Sequence, residues 1–331
     1  MADSRFYKEP DFDTLQVHAG WMTDPATNAI AVPIYQSAAY DFGPVDRAAR
    51  LMRNEETAHI YSRVSNPTVG ILEKRVAALE GGVAAVATSS GQAAQLLTVT
   101  TLAQAGDHVV SSARLYGGTY NQFKVTFGRF GITTTFVETT DPTAFAAAIN
   151  DRTKLIFLEI IANSDGALYD IEAIAKIAHE AGIPLVVDNT VGMGGYLVRP
   201  ISLGADIVVH SATKWLCGHG TTLAGIIIDS GNFDWRNSDK FPTVNGPSAA
   251  YGGANFAQIA HPSGFATIVR LEGLRDLGPC LSAQSAFSIL QGIETLSLRA
   301  QRQCANALTY VGPIRTKLMA AVQRSDLYDH N

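Results

Sequence analysis

The sequence predicts an α/β protein built on a mostly parallel, seven-stranded sheet lying between helices. Three observations carry this expectation. Short Val- and Ile-rich runs recur from about residue 80, segments of helical periodicity separate them, and glycine or proline marks the junctions. Runs that are apolar throughout are what strands buried on both faces require. The seven runs are Val83–Thr88, His108–Ser111, Thr133–Val137, Lys154–Glu159, Pro184–Asp188, Asp206–His210 and Leu223–Asp229. Between the fourth and fifth, Ile171, Ile174, Ala175, Ile177 and Ala178 recur at helical spacing. Gly182 stands where a C-cap is expected, and Pro184 opens the next strand. Successive βα units give parallel pairing, and such sheets bind ligands beyond the carboxyl ends of their strands.

The flanks read differently. Residues 1–65 are polar, carry Pro25, Pro33 and Pro44, and show little strict periodicity. An arm packed on a partner subunit and an ordinary irregular lead-in both fit. Residues 230–262, rich in Gly, Asn, Ser and Pro, read as a long loop. From Pro262 to about Ala320 a helical pattern returns, anchored by Leu277, Leu281, Phe287, Leu290 and Leu296.

Composition excludes several functions. The 331 residues are 47% hydrophobic and 17% charged, as a globular chain with a substantial core should be. A net charge of −5 offers no basic stripe, so no nucleic-acid partner is expected. Cys217, Cys280 and Cys304 form no CxxC pair, and His210, Cys217 and His219 match no ligand spacing, so no metal is expected. The N-terminus has no apolar core of a signal peptide, and no run approaches a membrane span. A cytoplasmic protein with no membrane partner is the expectation.

The chemistry gathers at strand ends. Ser89–Ser90–Gly91–Gln92 follows the first run and opens a helix over Ala93–Leu102. Free N–H groups at a helix start make an anion site, and Gly91 would let a phosphate come close. A simple N-cap by Ser89 or Ser90 is the plainer reading. Asp188 ends the fifth run, where a carboxylate can hold a protonated pyridine nitrogen, or merely form a turn with Asn189 and Thr190. Lys214 lies just past the sixth run, at the same sheet edge, and can form an imine with an aldehyde cofactor. Ser211 and Thr213 bring hydroxyls that could bind the phosphate too. Tyr116, after the second run, could stack on a flat ring or cap the core. Gly192-Met-Gly-Gly195 fails the G-x-G-x-x-G spacing, which argues against a nicotinamide dehydrogenase.

This order, with the segments Tyr61-Ser-Arg-Val-Ser-Asn-Pro-Thr68, Ser90-Gly-Gln92, Val186-Val-Asp-Asn-Thr190 and Ala205-Asp-Ile-Val-Val-His-Ser-Ala-Thr-Lys-Trp215, resembles the cysteine/methionine-metabolism family of fold-type-I pyridoxal 5′-phosphate (PLP) enzymes. The resemblance runs from about Leu15 to Arg302. It is greatest to the O-acetylhomoserine sulfhydrylase branch, through Leu15-Gln-Val-His-Ala-Gly20, Val32-Pro-Ile-Tyr-Gln-Ser37, Gly218-His-Gly-Thr-Thr222 and Gln291-Gly-Ile-Glu-Thr-Leu-Ser-Leu-Arg299. It implies that Lys214 carries PLP as a Schiff base and moves protons, that Asp188 holds the ring nitrogen, and that Tyr116 stacks and assists proton transfer. It further implies that Gly91, Gln92, Ser211 and Thr213 bind the phosphate, and that Asn163 lies near the phenolic oxygen. Tyr61 and Arg63 would reach the phosphate of a neighbouring subunit, in a homo-oligomer that is usually a tetramer built as a dimer of dimers. The implied organisation is an N-terminal arm over residues 1–65, a PLP-binding domain over 66–262, and a helical linker with the start of an incomplete C-terminal domain over 263–331.

Departures from the family pattern fall near the cofactor. Ser164 stands where a proline follows Asn163, Val191-Gly-Met-Gly-Gly195 replaces an aromatic and small residues, and Cys217 replaces a glycine. No counterpart of the family's carboxylate-binding arginine is visible before Asn331. The expected function is γ-replacement on an O-acyl-L-homoserine by sulfide or a thiol. The alternatives are β/γ-elimination by a C–S lyase, and a catalytically weak PLP-binding homologue that acts as an assembly partner.

Overall fold

The structure, a computed structural model, describes residues 10–53 and 55–325, with side chains as far as residue 311. The N-terminal segment read above as lacking a signal peptide lies mostly outside the described residues.

All seven expected strands form. They are β1 (Ala84–Thr88), β2 (His108–Ser112), β3 (Thr133–Val137), β4 (Thr153–Glu159), β5 (Leu185–Asp188), β6 (Ile207–Ser211) and β7 (Gly225–Asp229). They make one sheet in the order β1-β7-β6-β5-β4-β2-β3. The pairs β2–β3, β2–β4, β4–β5 and β5–β6 are parallel, and β7 runs antiparallel to both of its neighbours. The central strands carry unbroken apolar runs because both faces are covered: Ile156, Val186, Val208 and Ile227 are fully buried. Only β3, at an edge, alternates between exposed and part-buried positions.

Register aligns the strand ends. Thr88 and Ser211 both pair with Gly225, at the start of the antiparallel β7. The turns leaving β1 and β6 are therefore neighbours. Glu159 pairs with Asp188, so the last residues of β4 and β5 lie side by side.

Four helices frame this edge from the N-terminal side: α1 (Phe12–His18), α2 (Val45–Met52), α3 (Pro67–Glu80) and α4 (Gly91–Leu102). Asn66 caps α3, accepting from the N–H groups of Thr68 and Val69, while its amide donates to Tyr35 O and Ser62 Oγ. This fastens the 61–66 turn to the body of the protein. The helix expected after β4 forms over Ile171–Glu180, capped by Asp170, with Ile171, Ile174, Ala175 and Ala178 buried.

Two expectations are corrected. Residues 230–262 are not a structureless loop but contain short helical turns at Trp235–Asn237, Pro242–Asn245, Ala249–Tyr251 and Phe256–Ile259. Their polar composition hides an aromatic cluster in which the part-buried Phe233 packs on the buried Trp235, Phe241 and Phe265 and which organises the segment. The helical pattern from Pro262 is broken at residues 278–282, and the long final helix begins only at Leu296. Gln16 of α1 exchanges side-chain and backbone hydrogen bonds with Ser297, docking the start of the chain on that helix. Among the described residues, no helix is long and apolar enough to cross a membrane.

Candidate functional site

At the carboxyl ends of β1, β4, β5 and β6 lies a cavity of about 430 Å³. Gly91, Gln92, Tyr116, Asn163, Asp188, Ser211, Thr213 and Lys214 all line it. Eight of the ten residues expected at the site thus converge, although they span more than 120 positions of sequence. Tyr61 and Arg63 are not among the lining residues. They stand together outside, the Arg63 guanidinium 5.0 Å from the centre of the exposed Tyr61 ring.

The anion corner is built at the start of α4. Ser90 does cap the helix, its Oγ accepting from Ala93 N–H at 3.1 Å, so the plainer reading of this turn is also correct. The N–H groups of Gly91 and Gln92, however, point onward without an acceptor among the described residues. Gly91 is required because a Cβ there would lie 2.9 Å from Ser211 Cβ and 3.0 Å from Ser211 Cα. Only glycine lets the helix start and the end of β6 close to this distance. The Thr213 hydroxyl accepts from Ala224 N–H at 3.1 Å and donates to Ala224 O at 3.2 Å, so it would turn its proton from that carbonyl to donate to an anion.

Asp188 is nearly buried and held from two sides. Gln95, one turn into α4, donates its amide to Oδ2 at 3.1 Å, and Thr190 N–H donates to Oδ1 at 2.9 Å. Gln95 also donates to Thr119 Oγ1, while its own buried Oε1 has no partner. Thr190 completes the wiring, its hydroxyl accepting from Ser211 N–H at 2.8 Å. Lys214 projects past β6 into the cavity, where it is the lone cation among the lining residues. Tyr116 stands half-exposed at the mouth, with Ile161, Val191, Trp215 and Leu223 as apolar wall.

Glu159 and Gln95 were not singled out in the sequence. Glu159 is buried at the end of β4, where Oε1 accepts from Tyr116 N–H and Oε2 from Asn163 N–H. Burial first, and then the adjacent Asp188 carboxylate, push its carboxyl up to about 7 against the pull of those two N–H groups. An acid raised in the folded state adds stability below its unfolded value near 4.5, and that stability is lost as pH climbs through 7. The cofactor-free chain is therefore expected to lose on the order of 2–3 kcal/mol more than a Glu159→Gln variant between pH 4 and pH 8. Urea unfolding at the two pH values measures the difference.

The donor set fits a flat, phosphorylated, aldehyde-bearing pyridine. Helix-start N–H groups and hydroxyls suit the phosphate, a held carboxylate suits a ring N–H, an aromatic suits the ring face, and a primary amine suits the carbonyl. The other weighed sites do not form. His210 is bound to the buried Glu80 at 2.6 Å, and no cluster among the described residues could hold a metal. Gly195, in the turn considered for a dinucleotide, has φ +85° and packs where a Cβ would lie 2.6 Å from Leu79 O. That glycine serves packing.

Residues 13–313 match the sequence profile of the family described as Cys/Met metabolism PLP-dependent enzyme. A sulfhydrylase from Gibberella moniliformis is 56% identical over 297 residues, which is 89% of this chain and 69% of that protein. An O-acetyl-L-homoserine sulfhydrylase from Thermus thermophilus is 48% identical, covering 90% of this chain and 70% of its own length. Among solved structures, one assigned as an O-acetylhomoserine (thiol)-lyase from Campylobacter jejuni superposes with a TM-score of 0.84 at 37% identity. That match covers 87% of this chain and 71% of the other, which carries a pyridoxyl-lysine monophosphate.

Proposed function

Because this chain belongs to the Cys/Met metabolism PLP-dependent enzyme family, we propose that it is a PLP-dependent transferase that replaces the acyloxy group of an O-acyl-L-homoserine with sulfide. The observation that carries the reading is the meeting of Lys214, Asp188 and the Gly91 turn in one cavity. O-Acetyl-L-homoserine and hydrogen sulfide would give homocysteine and acetate.

PLP, when bound, supplies an electron sink conjugated to the substrate α-carbon. The residues do the rest. Gly91 and Gln92 N–H groups, with the Ser211 and Thr213 hydroxyls, hold the phosphate. Asp188 accepts the ring N–H, and Gln95 and Thr190 keep its carboxylate aimed. Lys214 Nζ would hold the cofactor aldehyde and, as a free amine, would carry protons between the α and β carbons of the substrate. Tyr116 covers one ring face and excludes water, and Asn163 donates toward the phenolic oxygen. Ile161, Val191 and Leu223 provide an apolar wall for the methylene groups and acyl chain of the ester.

The active unit in this reading is a homo-oligomer, a dimer of dimers, in which Tyr61 and Arg63 of one protomer reach the phosphate held by its neighbour. Their position outside their own cavity supports this, as do the exposed Met22, Ile30 and Val45 in the same N-terminal segment. Three free cysteines suit a reducing compartment, which supports a cytoplasmic location in this reading.

The test is to incubate the PLP-loaded chain with O-acetyl-L-homoserine, with and without sulfide. Homocysteine formed only with sulfide is the expected result. Release of 2-oxobutanoate and ammonia from the ester alone would replace transfer by elimination. Bound PLP without turnover would favour the assembly-partner alternative.

A further inference from the structure

Glu159 is used by no step above, yet it occupies the middle of the site. It ends β4 in register with Asp188, is 5% exposed, and divides its two oxygens between two loops. Oε1 accepts from Tyr116 N–H at 2.6 Å, and Oε2 accepts from Asn163 N–H at 2.7 Å. The first loop leaves β2 and brings Tyr116 to the cavity, and the second leaves β4 and brings Ile161 and Asn163. Tyr116 brings its ring and Asn163 its amide.

A carboxylate is an expensive residue to keep here. It is desolvated, and a second carboxylate of the same sign ends the neighbouring strand. Filling the space would need only an apolar side chain of similar size. What a carboxylate alone provides is one acceptor oxygen for each of two N–H donors that approach from different loops. A second tie between these loops, the Arg114–Asp165 ion pair, lies at the surface, where such pairs contribute little.

Resting on the reading that PLP occupies this cavity, we propose that Glu159 is a positioning residue for the reaction. Through the backbone N–H groups of Tyr116 and Asn163, it sets the ring and the amide that face the bound cofactor. Glu159 itself lines the cavity, but both of its oxygens are taken up by these two N–H groups, and the role proposed for it acts through them. Its effect is geometric, and errors of about 1 Å in such placement can cost on the order of a hundredfold in rate.

Glu159→Gln keeps the volume but puts an amide NH₂ where one acceptor stood, so one loop loses its anchor. The holoenzyme is compared with this variant by visible circular dichroism of the bound cofactor, by PLP release on dilution, and by kcat and KM with ester and sulfide. The expected variant keeps the wild-type far-ultraviolet spectrum, loses more than about half of the visible dichroism, and releases PLP faster. Its kcat falls by about tenfold to a hundredfold with KM within about threefold of wild type. On a Tyr116→Ala background, Glu159→Gln should lower kcat by a smaller factor than on the wild-type background, because one of the two groups it positions is already gone. Unchanged dichroism with unchanged kcat overturns the proposal, as does full additivity of the two substitutions. Should Glu159→Gln fail to fold, Glu159→Asp keeps the charge with a shorter reach. It is expected to lose part of the same dichroism, and wild-type dichroism in that variant overturns the proposal. The dichroism needs no turnover, so an inactive wild-type chain would sink the sulfhydrylase reading while this one is still decided.

Discussion

Lys214→Ala is expected to lower turnover of O-acetyl-L-homoserine with sulfide by at least about a thousandfold. The size follows from two roles on one atom. In the proposed reaction the amine that would hold the cofactor in the resting site would also be the base that moves protons once the substrate is seated. Lys214 is the lone cation among the residues that line the cavity. Other lysines near the sheet are engaged elsewhere: Lys154 Nζ donates to Lys240 O at 2.6 Å, and Lys240 Nζ donates to Ala181 O at 2.6 Å. Lys214→Arg keeps the charge but cannot be a neutral base, so it should be as inactive as the alanine variant. Steady-state kinetics of the two variants check this, and kcat within tenfold of wild type in either would contradict the role.

Asp188→Asn is the second large effect, a fall in kcat of about a hundredfold to a thousandfold. The substitution keeps size and loses charge. Asp188 sits at the end of β5 with its oxygens held by Gln95 and Thr190, so the carboxylate cannot swing away from a ring nitrogen placed before it. An asparagine there leaves that nitrogen without an anionic partner, and its NH₂ would also confront either the Gln95 amide or the Thr190 N–H. Phosphate binding at the Gly91 turn is untouched, so PLP affinity should fall far less than kcat. Titration of the apoprotein with PLP beside kcat measurements separates the two. A loss confined to PLP affinity would mean that Asp188 only helps to hold the group.

The sheet was legible in the sequence because buried parallel strands leave a local signature. Leu185–Asp188 and Ile207–Ser211 open on the unbroken apolar runs Leu185–Val187 and Ile207–Val209 since both of their faces are covered, and turn residues bracket them. The convergence of Asp188 and Lys214 on one cavity was legible for a related reason, since both are polar groups placed where such runs stop. Gln95 and Glu159 left no such mark. Gln95 matters because its amide meets a carboxylate 93 positions away, and Glu159 because β4 happens to lie beside β5 in register. A carboxylate at the end of a parallel strand, next to a strand that ends in Asp188, is the signal that could have found it. The 230–262 segment was misread because its Gly, Asn and Ser content outweighed three aromatics whose burial becomes visible only once they pack on one another.

The central claim is that Lys214 is the residue to which PLP is joined. It is tested most directly by loading the chain with PLP, reducing it with borohydride, and mapping the labelled peptide by mass spectrometry. A pyridoxyl group on the peptide containing Ala212-Thr213-Lys214-Trp215 is the expected result. A chain left unlabelled, or labelled at Lys154 or Lys240 instead, would contradict it.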